Sequence, residues 1–284
     1  MRITARLLLA ALLGGVICTA VAAQPAAGAS ADPAPGVIGA TGTRKVGSID
    51  TSRAERLSGY AQMSRDIQAM QDDPALNPAT FWLLDGQNLW DQPTGEKKAS
   101  CSSCHGEATR SMKGVAARYP LVREGNVVNL EAAINSCRTQ RQGAPALGYE
   151  SKPLLALTTY VASQSRGMPI AVEETPDNRA RLAAGRARFG QRLGQLNLSC
   201  AQCHVENAGR KLGGSVIPQG HPTGYPLYRL EWQSVGSLAR RLRNCLSGVR
   251  AEMWPAGSPE LLELELYLAW RARGMAIETP AVRP

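Results

Sequence analysis

Four cysteines and two of the three histidines fall into one pattern that occurs twice. Cys101-Ser-Ser-Cys104-His105 and Cys200-Ala-Gln-Cys203-His204 both read C-x-x-C-H, the attachment signature of c-type haem. Two thiols at this spacing add to the haem vinyl groups along one edge, and the next residue places an imidazole nitrogen on the iron. Zinc would want two further ligands nearby, and a thioredoxin-like site has no use for the trailing histidine. The cofactors implied are two covalently bound haem c groups with their irons, one on Cys101, Cys104 and His105 and one on Cys200, Cys203 and His204.

The sixth iron ligand decides what each haem can do. With His105 and His204 used as proximal ligands only His221 is left, so a double bis-histidine cytochrome is excluded, and His221 itself reads as a core or loop residue. Met168 and Met275 follow the last helix of each repeat and are one candidate pair. Cys137 and Cys245, 108 residues apart, are the other. Asn129 and Ser237 have the same separation and suit helix N-caps. Leu238, Leu242, Cys245 and Val249 then share one helix face, as do Leu130, Ile134 and Cys137. A Cys137–Cys245 disulfide is the structural alternative in an oxidising compartment. Equivalent positions in two repeats would instead each face their own haem, and a thiolate beside a metal is a favoured state, so cysteine ligation is the preferred reading.

The two cysteine helices differ in charge. Arg240, Arg241, Leu242 and Arg243 stand where the first copy has Ala132, Ala133, Ile134 and Asn135. Arg241 lies four residues before Cys245 and thus on its helix face, where a guanidinium could hold a small oxyanion and lower the thiol pKa. A solvated helix surface is the plainer reading, and it suits Arg240 better than Arg241.

The elements that must position these groups are themselves repeated. Leu154-Leu-Ala-Leu-Thr-Thr-Tyr160 and Leu261-Leu-Glu-Leu-Glu-Leu-Tyr267 correspond at an offset of 107, and each runs into Arg-Gly-Met at 166–168 and 273–275. The haem motifs are 99 apart, as are Gly86 to Trp90 and Gly185 to Phe189. Each copy then holds a helix, the haem motif, a loop, a short helix and a last amphipathic helix, with Gly167 or Gly274 as C-cap. Strand signals are sparse, so the fold class is mainly α: two cytochrome c-like domains related by internal duplication, with an N-terminal extension. The domains are expected over 81–172 and 178–284, after an extension over 24–80, with Pro169 to Asp177 as linker. Residues 52–71 read as a helix packed on the first domain, with Leu57, Tyr60, Met63, Ile67 and Met70 apolar.

Arg2, Arg6 and the apolar run from Leu7 to Val21, closed by Ala20, Ala22 and Ala23, have the layout of a secretory signal peptide cleaved near residue 23. Gly15-Val-Ile-Cys18 is a poor lipoprotein signal. An Ala-, Pro- and Gly-rich lead-in follows over 24–47. The expected location is periplasmic, and no later stretch approaches the roughly 20 apolar residues of a membrane span. The 284 residues, 44% hydrophobic and 19% charged, suit two domains and exclude wholesale disorder or a collagen-like chain. Two Phe, five Trp and seven Tyr are a thin aromatic supply, which covalent haem would supplement. The formal charge of +9 falls to +7 without Arg2 and Arg6, and favours an anionic substrate or acidic partner, with nucleic acid disfavoured by export.

An exported chain with two C-x-x-C-H domains, each with a later lone cysteine, resembles the SoxA family of the bacterial thiosulfate-oxidising Sox system. The resemblance covers most of the mature chain: Ser58-Gly-Tyr60, Ala69-Met-Gln-Asp72, Gly220-His-Pro-Thr-Gly-Tyr-Pro226, Tyr228-Arg-Leu-Glu-Trp-Gln233, Gly248-Val-Arg-Ala-Glu252 and Pro280-Ala-Val-Arg-Pro284. It looks like the dihaem type, because it keeps the first haem motif. The resemblance implies that Cys137 and Cys245 are distal iron ligands opposite His105 and His204. It also implies that Cys245 carries the catalytic sulfur, as thiolate or persulfide, and that Arg241 binds substrate. It implies a monohaem partner, SoxX, a carrier complex, SoxYZ, and L-cysteine S-thiosulfotransferase activity, in which thiosulfate is oxidatively joined to a carrier cysteine while electrons leave through haem. The runner-up is a dihaem electron carrier whose cysteines are only ligands. A dihaem peroxidase is a weaker third reading, since its peroxide site needs an open iron position.

Overall fold

The computed structural model describes residues 56–284. The expected signal peptide, its cleavage site and the lead-in lie outside the described residues. Two helix pairs frame the molecule. In the first, α2 (Thr80–Asp91) crosses α6 (Lys152–Ser163), and in the second α7 (Arg179–Gly190) crosses α9 (Pro259–Arg271). The crossings are close because Gly86 and Gly185 stand at the contact. A Cβ on Gly86 would collide with the Ala156 carbonyl and Tyr160, and one on Gly185 with the Glu263 carbonyl and Tyr267. Those four partners are two matched pairs of the sequence repeat, so each glycine is required by a helix approach. Pro153 and Pro259 occupy the first turns of α6 and α9, where a missing N–H costs nothing.

Between the helices of each pair come the haem motif and the cysteine helix. In the first half α3 (Cys101–His105) is followed by α4 (Ala108–Ser111), the hairpin β1 (Leu121–Arg123) and β2 (Asn126–Val128), and α5 (Leu130–Cys137). In the second, Cys200 and Ala201 begin a turn that continues as a π-type turn over Gln202–Glu206. A small hairpin of β3 (Lys211–Leu212) and β4 (Ser215–Val216) comes next, then β5 (Leu227–Arg229), β6 (Ser234–Gly236) and α8 (Leu238–Gly248). The terminal strand β7 (Ala281–Arg283) joins β5 in parallel, while β6 pairs with β5 antiparallel. The short strands escape a periodicity reading because each has only two or three residues.

The halves are tied along a local two-fold relation. Pro169 and Ala276, equivalent in the repeat, form an antiparallel bridge. On either side Ile170 N–H donates to the Met275 carbonyl and Ile277 N–H to the Met168 carbonyl, both at 2.9 Å. A core cluster mixes both halves, with Ala117, Val127, Ile170 and Val172 against Leu182, Leu266, Ala269 and Ile277.

Three expectations are corrected here. The expected linker is half structure: Ile170 and Val172 are buried, and Ala171 N–H donates to the Ala117 carbonyl at 2.8 Å. The helix expected over 52–71 is α1 (Arg65–Asp72), begun where Ser64 accepts from the Ile67 N–H. It packs on β7 at the end of the second half rather than on the first domain, because Gln71 is buried and its Oε1 accepts from Val282 N–H. Asn77 reinforces the seam by donating to the Pro280 carbonyl at 3.0 Å. Gly167 and Gly274 do adopt positive φ, 79° and 78°, but lie beyond the ends of α6 at Ser163 and α9 at Arg271; Gln164 and Ala272 are the C-caps.

Candidate functional site

The first haem motif opens a cavity of about 450 Å³. Cys101, Cys104 and His105 line one side of it, Cys137 and Ile134 of α5 another, and Leu121, Leu157 and Val161 add apolar wall. Ser100 starts α3 by accepting from the Ser103 N–H at 2.9 Å, and Trp90 stands 5.7 Å from the His105 ring. An apolar chamber with two thiols and an imidazole on one side and a third sulfur within its wall fits a covalent haem held between His105 and Cys137. Met168 is not among the lining residues; its Sδ–Cε end lies against Gly114.

In the second half, His204 Nδ1 donates to the Pro218 carbonyl at 2.7 Å. That bond leaves Nε2 for a metal and fixes the ring, as the outer partners of metal-bound histidines do. Burial holds the His204 pKa below its ordinary value, with Arg241 and Arg271 adding to the depression against the Pro218 hydrogen bond. A neutral imidazole is the form that ligates iron. Burial likewise pushes the Cys200 thiol to about 11 and raises that of Cys203, and in both cases Cys245 is the next cause. Cys245 therefore stands beside the second motif, just as Cys137 adds to the raised pKa of Cys101 in the first. Neither is in a disulfide, and each faces the motif of its own repeat. Met275 packs instead on the core shared by the halves.

The cysteine helices are built alike. Asn129 Oδ1 accepts from Ala132 N–H at 2.9 Å, and Ser237 Oγ from Arg240 N–H at 3.1 Å, so the expected caps are present. Their surroundings differ. Arg241 reaches electrostatically to His204, Tyr225 and Arg229, and forms no ion pair among the described residues. Ala133 stands at its place in α5. Arg240 is not a solvated surface residue: its guanidinium lies 4.3 Å from the Trp232 ring centroid and donates to Ser234. His221 is buried, donates from Nδ1 to the Leu57 carbonyl at 2.9 Å, and burial pushes its pKa down to about 4. Gly220 packs on the His204 ring, which places His221 on the His204 side of the site.

Two features escaped the sequence reading. Tyr119-Pro-Leu-Val-Arg123 and Tyr225-Pro-Leu-Tyr-Arg229 repeat at an offset of 106, and they set β1 and β5 beside the two sites. That match was available in the sequence. The second is a buried carboxyl group cluster between the halves: Asn129 donates to both Glu131 and Glu265 at 3.1 Å, and Ser237 Oγ donates to Glu150. Burial, followed by Glu265 and Glu150, holds Glu131 well above the carboxylate range, and burial pushes Glu265 up to about 7. Asn129 is 136 residues from Glu265 and Ser237 is 87 from Glu150, so no local pattern announces the cluster.

Paired C-x-x-C-H motifs on a duplicated helical frame, each with its own apolar chamber or buried imidazole, define a c-type cytochrome. The SoxA/TsdA cytochrome c domain family matches residues 85–170 and 184–277. SoxA from Rhodovulum sulfidophilum is 36% identical over 80% of this chain and 79% of its own, and SoxA from Pseudaminobacter salicylatoxidans 34% over 81% of each. Both are named L-cysteine S-thiosulfotransferase subunits. The crystal structure of SoxXA from P. pantotrophus superposes with a TM-score of 0.78 at 32% identity, covering 81% of this chain and 87% of that one. The chain belongs to the SoxA proteins of the SoxA/TsdA cytochrome c family. Among the described residues no helix is long and apolar enough to cross a membrane.

Proposed function

We propose that this chain is a dihaem L-cysteine S-thiosulfotransferase subunit that works in the periplasm with a SoxX-type monohaem cytochrome and a SoxYZ-type carrier. Cys101, Cys104, His105 and Cys137 would hold one haem, and Cys200, Cys203, His204 and Cys245 would hold the other. The observation that carries the reading is the placement of Cys245 beside the second haem motif, with Arg241 one helical turn before it and in reach of His204. That arrangement sets a sulfur and an unpaired cation together at one haem site.

The reaction joins the outer sulfur of thiosulfate to the carrier cysteine sulfur. One S–S bond forms, the thiol proton is released and two electrons leave. Haem, when bound, supplies the route by which those electrons depart. Arg241 binds and orients the thiosulfate dianion through charge-assisted hydrogen bonds, and Cys245 presents the sulfur through which the group passes. The Pro218 carbonyl fixes the His204 ring through Nδ1 and leaves Nε2 as the nitrogen that would ligate the iron. Leu242 and Leu246 are buried and fix the α8 face that presents Cys245.

The test is reduction of the partner cytochrome when thiosulfate and carrier are supplied together. Reduction that requires both supports the transferase. Reduction indifferent to the carrier returns the chain to the class of plain electron carriers.

A further inference from the structure

The seam between the halves holds a cavity of about 120 Å³ that no residue of either haem motif lines. Its wall is built from repeat-related pairs: Tyr119 and Tyr225, Leu130 and Leu238, Ile170 and Ile277. It therefore lies on the local two-fold relation. Tyr119 and Leu130 also belong to the wall of the first haem chamber, so the two spaces are neighbours. Two positions break the symmetry. Glu131 lines the cavity where the second half has Ala239, and Glu265 lines it where the first has Thr158.

Both carboxyl groups are buried, at 5% exposure each, and one amide serves them. Asn129 Nδ2 donates to Glu131 Oε2 and to Glu265 Oε2, both at 3.1 Å. Glu131 Oε1 is buried without a hydrogen-bond partner. Among the described residues no ion pair includes Glu131, Glu150 or Glu265, and no lysine, arginine or histidine lines the cavity. Two buried carboxylates without a cation cannot both be ionised, so the pair keeps a proton between them. The space beside them is roomy enough for several waters, the carriers that bring a proton to a buried acid. The other groups facing the pair add no positive charge. Glu150 accepts from Ser237 Oγ, the Tyr149 phenol is raised by burial and then by both acids, and Tyr119 and Tyr225 stand in the cavity wall.

The helix caps connect this place to both distal cysteines. Asn129, which holds the two acids, caps α5, and α5 ends at Cys137. Ser237, which holds Glu150, caps α8, which carries Cys245. Glu131 stands six residues before Cys137, about 9 Å along the helix axis, and Ser237 eight before Cys245, about 12 Å. Buried charges act over such distances with little screening by salt. An electron added at either iron therefore raises the affinity of the pair for a proton, and by linkage the bound proton favours the reduced iron.

We propose that Glu131 and Glu265 form a proton-binding site linked to the oxidation state of the haems, taking up a proton from solvent as electrons arrive and releasing it as they leave for the partner cytochrome. The proposal rests on the dihaem reading of the two motifs. The electrons come from the joining of thiosulfate to the carrier cysteine, one carboxylate becomes a carboxylic acid, and no bond between heavy atoms changes at the seam. With Glu265 at about 7, the uptake falls in the neutral range.

The test is the haem reduction potential of the holoprotein, followed by spectroelectrochemical titration on both sides of neutral pH. In wild type the potential should fall as pH rises through the neutral range, by up to one proton per electron, and level off beyond it. The double variant Glu131→Gln with Glu265→Gln keeps the side-chain shape and removes both acids; its potential should stay flat near the acid-side value. Glu265→Gln alone should move the sloping range, because a single acid then titrates without its like-charged neighbour. The reduced-minus-oxidised infrared spectrum should carry the C=O stretch of a newly protonated carboxylic acid, absent from the double variant. A slope that persists in the double variant assigns the proton to the haem carboxylates and overturns the proposal. A flat potential in wild type overturns it too, as does an unchanged curve in Glu265→Gln where the double variant is insoluble. Intact mass of each preparation keeps the two readings apart. A chain without two haems withdraws the dihaem reading, whereas a dihaem chain with a pH-independent potential withdraws the proton site alone.

Discussion

The two halves of this cytochrome share a frame and differ in what surrounds the distal cysteine. Both cross two helices at a glycine, both start the cysteine helix at a side-chain cap, and both place that cysteine beside C-x-x-C-H. Around Cys137 the first half has Ala133 and Ile134 on the helix itself, in a largely apolar cavity that Arg118, Arg123 and Arg141 also line. Around Cys245 the second half has Arg241 and Tyr225, and its β5 is covered by a third strand, β7. Duplication supplies the shared frame, and in the proposed function the few differences beside the two cysteines separate a site that takes substrate from one that passes electrons.

The sharpest break of the comparison is spectroscopic and domain by domain. In the oxidised protein, Cys137→Ala should abolish the thiolate-type low-spin signal of one haem and Cys245→Ala that of the other, as measured by electron paramagnetic resonance. If Met168→Ala or Met275→Ala removed those signals instead, the cysteine assignment would fall. Next in size, Arg241→Ala should lower the catalytic efficiency for thiosulfate about ten- to a hundredfold, the weight of about 1.5–3 kcal/mol for a charged hydrogen bond. Both haems should remain attached in that variant. The converse substitution, Ala133→Arg, should create no activity in the first half.

A smaller effect tests the seam where the halves meet. Glu265 titrates near 7 in the folded protein and near 4.3 when exposed, so between those values the folded state holds a proton that the unfolded chain has lost. The stability from that proton is complete below about 4.3 and is lost as pH rises through 7, with a slope of at most about 1.4 kcal/mol per pH unit. His221, depressed to about 4, acts in the opposite sense: its contribution is present above about 6.5 and is lost as pH falls through 4. The difference between wild type and Glu265→Gln isolates the carboxyl group. Denaturant midpoints should show the variant gaining on wild type as pH rises from about 5 to 8, and a pH-independent difference would remove Glu265 from the seam.

The haem chemistry was legible because covalent attachment demands contiguous residues, and the cysteine helices because an N-cap and a one-face spacing are local. The duplication was legible for the same reason in Leu154 to Tyr160 and Leu261 to Tyr267. Contacts made across the seam were not. Glu131 with Glu265, and Gln71 with Val282, join residues remote in the chain, and α1 went to the wrong half because amphipathicity names a face without naming what covers it. The strands were missed through brevity.

The central claim is that transfer chemistry resides at Cys245 and not at Cys137. Its most direct measurement is the intact mass of the carrier protein after incubation with thiosulfate, an electron acceptor and each form of the complex. Wild type and Cys137→Ser should both add one thiosulfate-derived group to the carrier cysteine, and Cys245→Ser, with its haems still covalently attached, should add none. A carrier modified normally by Cys245→Ser would contradict the claim and leave the chain a dihaem electron carrier.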